Sequence, residues 1–104
     1  FCSWFCTDPR TGDWDGGAAW EAALAAACAP YERVCLLGDS MGGTAALRFA
    51  PLATGAVVAF TPQVDLTDCP ASVRPDFGAE RRAALRGRAL EGCRQASAPV
   101  FVHV

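Results

Sequence analysis

A serine stands between two glycines where a short apolar run meets a helix-forming stretch. The segment reads VCLLGDSMGG, from Val34 to Gly43, and Gly38 and Gly42 lie two positions either side of Ser40. A serine at the apex of a sharp strand-to-helix turn exposes its hydroxyl, and its backbone takes a strained conformation with positive φ. Such a turn brings its two flanking residues close together, so only small residues are expected there. This G-x-S-x-G pattern predicts a nucleophile elbow with Ser40 as the nucleophile.

The helix expected after Ser40 would supply a second part of the site. The backbone N–H of Met41, at the helix start, points to where an oxyanion would form, and the helix dipole favours negative charge there. Gly43 is expected to let the helix pack close to the sheet. This arrangement suits attack on an ester, thioester or amide carbonyl, so we expect a small-molecule acyl or ester substrate.

The residues that would activate the serine are harder to assign. A serine hydroxyl must lose its proton during attack, which requires a base. His103 is the only histidine and lies in a predicted strand, where it is either the base or a structural histidine on one face of the sheet. Asp65 is the candidate acid and Asp68 the next nearest, although each also fits a solvated loop carboxylate. Asp39, beside the serine, is interpreted as local structure, and the chain alone is expected to lack a complete triad.

Helical and apolar segments alternate along the chain, with Gly- and Pro-rich stretches between them. This alternation predicts an α/β fold of three layers, α/β/α, with about three parallel strands. We expect a single domain over residues 1–104, in which residues 1–17 form a loop or entry segment and Asp13 or Asp15 caps the first helix. The predicted helices cover 18–29, 40 or 41–50 and 79–95, and the predicted strands cover 34–37, 56–60 and 100–104.

Composition limits the classes of function. The chain has 104 residues, of which 52% are hydrophobic and 19% charged, which is typical of a globular domain. Its net charge of −2 argues against nucleic-acid binding, which needs a basic face. No apolar run approaches the ~18 residues of a membrane span. The chain begins FCSWFC, without an initiator methionine or a visible signal peptide, so we expect an excerpt from a longer protein.

The six cysteines do not form a recognisable metal or disulfide pattern. There is no C-x-x-C pair and only one histidine, so neither a metal nor another cofactor is expected. Cys28 and Cys35 lie in apolar stretches, where a free cysteine behaves as a small hydrophobe, and they are expected to be buried or incidental thiols. A pairing of Cys2 with Cys6 stays open if that segment is irregular.

The segments VCLLGDSMGG and AVVAFTPQ together resemble the α/β-hydrolase superfamily, from its central strand through the elbow to the next strand. More narrowly, the chain is similar to a branch with a G-x-S-M-G-G elbow followed by A-F-[ST]-P-Q, and Ser3-Trp4-Phe5 fits the SW-aromatic segment upstream in that branch. The resemblance implies a partial α/β-hydrolase fold and a serine hydrolase or acyltransferase that forms an acyl-Ser40 intermediate. It also implies a second oxyanion donor from an upstream loop, for which residues 3–8 are the candidate, although the aromatic residues of this segment also fit a purely packing role.

Two other interpretations stay open. The letters GDS also open the GDSL or SGNH hydrolases, but the later G-x-N-D and D-x-x-H blocks of that family have no counterpart here. A non-catalytic α/β-hydrolase-like binding or scaffold module would keep the elbow as architecture. Such a module would associate through an unpaired sheet edge, which we expect on one flank of the elbow strand.

Overall fold

The computed structural model describes residues 4–66 and 78–104. Every predicted helix and strand is present, with ends within two residues of the expected ones. A short 3-10 helix, Ala50–Leu52, follows the second helix and includes Pro51. Four residues of the sequence analysis lie outside the described residues: Cys2, with its possible pairing to Cys6, and Ser3, Asp68 and Cys69. The elements are α1 (Ala18–Cys28), β1 (Cys35–Asp39), α2 (Met41–Arg48), β2 (Ala56–Phe60), α3 (Ala79–Gln95) and β3 (Val100–His103).

The three strands form one parallel sheet in the order β1-β2-β3. Leu37 pairs with Val58, and Val58 pairs with Phe101. Because all three strands run the same way, their carboxyl ends meet at one edge of the sheet. The predicted α/β fold with three parallel strands is confirmed.

The core lies between one face of the sheet and the helices α2 and α3. Val57 and Ala59 of β2 are fully buried and pack on Ala46 and Leu47 of α2. The two helices approach closely at Gly92 of α3, where an added Cβ would lie 2.3 Å from the Leu47 carbonyl oxygen. The glycine that weakens α3 as an isolated helix is therefore what lets it pack on α2.

The opposite face of the sheet carries apolar side chains that stay exposed. Leu37 is 73% exposed and Phe101 is 58% exposed. Trp20 and Leu24 of α1 line a pocket together with Leu37 of β1 and Ala45 of α2, and Leu37 still stays largely exposed. Within residues 4–66 and 78–104, helices α2 and α3 both pack on the other face of the sheet, where the core lies. No helix in this part of the chain has the length and apolarity that a membrane span requires.

A buried arginine attaches the N-terminal segment to α2. Arg48 is only 8% exposed, and its guanidinium donates hydrogen bonds to the carbonyl oxygens of Phe5, at 3.3 Å, and Gly16. Asp15 then caps α1 by accepting the backbone N–H groups of Gly17, at 2.7 Å, and Ala19, at 2.9 Å. Both hydrogen bonds lower the pKa of Asp15, and the bond from Ala19 has the larger effect.

The cysteines differ in exposure more than their surroundings in the sequence indicate. Cys35 is exposed on the uncovered face of the sheet, and Cys28 is half-buried. The alternation of β1 puts Cys35 on the face opposite Leu36. Cys6 is a free, buried thiol, and burial raises its pKa. Within residues 4–66 and 78–104, no cluster of side chains is suited to hold a metal ion.

Candidate active site

Ser40 occupies the corner between β1 and α2. Its backbone has φ 53° and ψ −117°, a strained conformation for a residue with a side chain, and the residue is exposed. Its N–H donates to the carbonyl oxygen of Phe60 at the end of β2, at 2.9 Å. Its carbonyl oxygen accepts the N–H of Thr44 at 3.1 Å, which begins the hydrogen bonding of α2. The predicted strand, apex residue and helix are therefore all in place.

The glycines around Ser40 have different steric roles. An added Cβ at Gly38 would lie 2.1 Å from the carbonyl oxygen of Gly42, so this position tolerates only glycine. A Cβ at Gly43 would lie 2.8 Å from the carbonyl oxygen of Phe60, which explains how α2 packs close to the sheet. A Cβ at Gly42 would meet nothing within 4 Å. The expectation that only a small residue fits is therefore correct at Gly38 and wrong at Gly42, where the backbone is crowded but the side-chain direction is open.

Met41 presents the first backbone N–H of α2. The first N–H groups of a helix have no partner within it, so this donor is available to an anion beside Ser40. The Met41 side chain packs against a second buried cluster, which includes Trp4 and Cys6. Trp4 and Cys6 therefore lie close to the start of α2. Trp4 and Phe5 both have positive φ, 53° and 57°, so this segment is strained as well.

The end of β2 is tied to both neighbouring strands. Thr61 has φ 42°, and its hydroxyl donates to Oδ1 of Asp39 at 2.8 Å. Its N–H donates to the carbonyl oxygen of His103 at 2.6 Å. Asp39 therefore links the end of β1 to the residue that follows β2.

A buried threonine connects α2 to the loop after β2. Thr44 is 1% exposed, and its Oγ1 accepts the N–H of Gln63 and donates to the carbonyl oxygen of the same residue, both at 2.9 Å. These two hydrogen bonds hold the Thr61-Pro62-Gln63 segment against α2. Sequence reasoning used this segment only as a mark of resemblance, although its position directly after a buried strand was a signal that it borders the site.

The structure does not bring the candidate base and acid into contact with Ser40. His103 lies two strands away from β1, about 10 Å at the usual strand spacing, and its imidazole packs edge-on against the Phe60 ring at 5.8 Å between centroids. Asp65 lies in a pocket whose lining includes Arg82 and Arg86 of α3. Within residues 4–66 and 78–104, the Ser40 hydroxyl makes no hydrogen bond with either residue.

An apolar pocket of 210 Å³ lies beside the first turns of α2. Its wall includes Gly42, two residues after Ser40, and Phe49 at the end of the helix. Phe5 and Trp20 close one side of it and pack edge-to-face, with 5.2 Å between ring centroids.

Comparisons with protein-family models, curated proteins and solved structures find no match to this chain.

Proposed function

We propose that the chain is a serine hydrolase or acyltransferase-like domain of α/β-hydrolase type that acts on an ester or acyl substrate. The observation that carries this proposal is the strained backbone of Ser40, with φ 53°, at an exposed corner between a parallel strand and a helix. Strained residues persist where the surrounding structure holds them, and they concentrate at functional sites. In a nucleophile elbow, this strained conformation presents the Ser40 hydroxyl beside the N–H of Met41 at the start of α2.

The proposed reaction has two stages. The oxygen of Ser40 attacks the substrate carbonyl carbon, and the N–H of Met41 stabilises the negative charge that develops on the carbonyl oxygen. The bond to the leaving group then breaks, which leaves an acyl group on Ser40 for transfer to water or another acceptor. The apolar pocket beside Gly42 favours a substrate with an apolar acyl part.

The serine proton needs an acceptor. His103 and Asp65 remain the candidate base and acid, and neither contacts Ser40 in this conformation. Attack therefore requires either that the His103 side chain turns away from Phe60 or that a base comes from outside the described residues. Loss of one triad member costs orders of magnitude in rate, so an unassisted Ser40 would react slowly.

The second candidate function is a non-catalytic α/β-hydrolase-like binding or scaffold module. It is favoured by one observation: His103 lies two strands away from β1, and its imidazole packs against Phe60. In such a module the turn at Ser40 would have only a structural role, and a partner would bind to the open edge of β1.

Labelling with a fluorophosphonate probe separates the two candidates. We expect the folded wild-type chain to be labelled and Ser40→Ala to be unlabelled, with peptide mapping that places the adduct on residue 40. His103→Gln serves as the test of the base, because it retains most of the side-chain volume and removes the imidazole. A folded wild-type chain that stays unlabelled would refute the catalytic proposal and support the scaffold.

A further inference from the structure

The residue that follows β2 has a backbone conformation that is unfavourable for its type of side chain. Thr61 is β-branched, yet its φ is 42°, in the region that favours glycine. A residue in such a conformation stays there only when its neighbours hold it. Thr61 belongs to the same carboxyl edge of the sheet as Ser40, where the backbone also has positive φ. The two strained residues lie at the ends of adjacent strands.

One peptide group links the ends of all three strands. The carbonyl of Phe60 accepts the N–H of Ser40 at 2.9 Å, and the N–H of Thr61, in the same peptide plane, donates to the carbonyl of His103 at 2.6 Å. Because a peptide group is planar, these two bonds together fix its orientation. The position of the Ser40 backbone therefore depends on the dihedral angles of Thr61.

The hydroxyl of Thr61 adds a third constraint. It donates to Oδ1 of Asp39 at 2.8 Å, and Asp39 immediately precedes Ser40. Residue 61 thus contacts the elbow through its side chain on one side of Ser40 and through its peptide at Ser40 itself. A hydrogen bond to a charged carboxylate is stronger than one between neutral groups.

We infer that Thr61 is a positioning residue for the Ser40 nucleophile, held in its strained conformation by Asp39 and by the His103 carbonyl. This inference rests on the proposed function of Ser40. Thr61 does not touch the reacting atoms. It sets the orientation of the Phe60–Thr61 peptide that anchors the Ser40 N–H, and so sets the direction in which the serine hydroxyl points.

The test compares Thr61→Val, which removes the hydroxyl and keeps the branched shape, with Thr61→Ser, which keeps the hydroxyl. Two quantities are measured on the full chain: the second-order rate of fluorophosphonate labelling per folded molecule, and the hydrogen-exchange rate of the Ser40 amide. Thr54→Val is the matched control, because the Thr54 hydroxyl forms comparable bonds to the Glu32 carbonyl and the Val34 N–H at the opposite end of the sheet.

We expect Thr61→Val to slow labelling by about fivefold and to speed Ser40 amide exchange by a similar factor, with Thr61→Ser close to wild type. Thr54→Val should change neither quantity when exchange is compared at equal free energy of global unfolding. A double variant, Thr61→Val with Asp39→Ala, should be no slower than Thr61→Val alone, because both changes remove the same bond.

The outcomes separate this inference from the proposed function. Labelled wild type with an equal rate in Thr61→Val, or an equal loss in Thr54→Val, overturns the inference and leaves the proposed function standing. If wild type is unlabelled, the proposed function fails and amide exchange decides: unchanged exchange in Thr61→Val overturns the inference. Faster exchange that Thr61→Ser restores would keep Thr61 as the residue that positions Ser40.

Discussion

Substituting Gly38 by alanine tests the geometry of the elbow most directly. The new Cβ would lie 2.1 Å from the carbonyl oxygen of Gly42, whereas ordinary contacts of this kind begin at 3.4 Å. The obstacle is backbone and not a flexible side chain, so either the end of β1 or the first turn of α2 must move by more than 1 Å. Both are held by the bond between the Ser40 N–H and the Phe60 carbonyl, which such a movement would break.

The expected loss of stability follows from these contacts. Overpacking in a well-ordered site costs about 1–3 kcal/mol, and a clash with backbone belongs at the upper end of that range. A loss of about 3 kcal/mol lowers Tm by about 12–24 °C in a domain of this size. Gly42→Ala provides the matched control, because its Cβ would meet nothing within 4 Å and alanine is the better helix former by up to about 1 kcal/mol.

Urea unfolding followed by circular dichroism measures both variants under identical conditions. We expect Gly38→Ala to lose about 3 kcal/mol, and Gly42→Ala to match or exceed wild type. Motif logic alone would treat the two glycines as equivalent. Equal losses in the two variants, or a stable Gly38→Ala, would show that the chain does not turn at Ser40 as described.

Three further predictions concern the rest of the chain. Gly92→Ala should cost about 2–3 kcal/mol in urea unfolding because its Cβ would lie 2.3 Å from a main-chain oxygen of α2, whereas Gly87→Ala, with open space around it, should be neutral or stabilising. Asp15→Ala should lower Tm at neutral pH. The pKa of Asp15 is depressed in the folded state, so the stability that this carboxylate contributes is complete above pH 3.8, the ordinary pKa, and is lost as the pH falls through the folded pKa. A difference in Tm between Asp15→Ala and wild type that persists in strong acid would contradict the capping role. A chromogenic thiol reagent should modify Cys35 in the native protein and Cys6 only after unfolding, since burial shields the Cys6 thiol and raises its pKa; equal native rates would contradict the burial of Cys6.

Much of the fold follows from local sequence patterns. The run AVVAF gives β2 with its exact ends, and the stretch from Ala79 to Gln95 gives α3, because apolar runs and helix formers are bounded by turn residues. The exposure of one face of the sheet could not be predicted in the same way. Short apolar strands are typical of a sheet covered on both faces, yet Leu37 and Phe101 are exposed. Which face a helix covers depends on tertiary packing and not on the strand's own composition.

The site was only partly predictable for a related reason. The turn at Ser40 is a local feature of the backbone, so the five-residue G-x-S-x-G pattern is enough to predict it. The roles of Thr61 and Thr44 depend on contacts between segments about 20 residues apart, which no spacing rule reveals. The burial of Arg48 is likewise invisible in sequence, because a charged residue on a short helix is expected to face solvent.

The order of the strands bears on how the chain folds. Cys35 pairs with Ala56, whereas Val57 pairs with Val100, so the second pairing closes a loop about twice as long. Each doubling of a loop costs about 0.6 kcal/mol of closure entropy, so we expect β1, α2 and β2 to assemble first and β3 to dock onto them. The bond that anchors the Ser40 N–H belongs to this early unit. The corner that carries the serine is therefore built before the strand that brings the chain's single imidazole arrives.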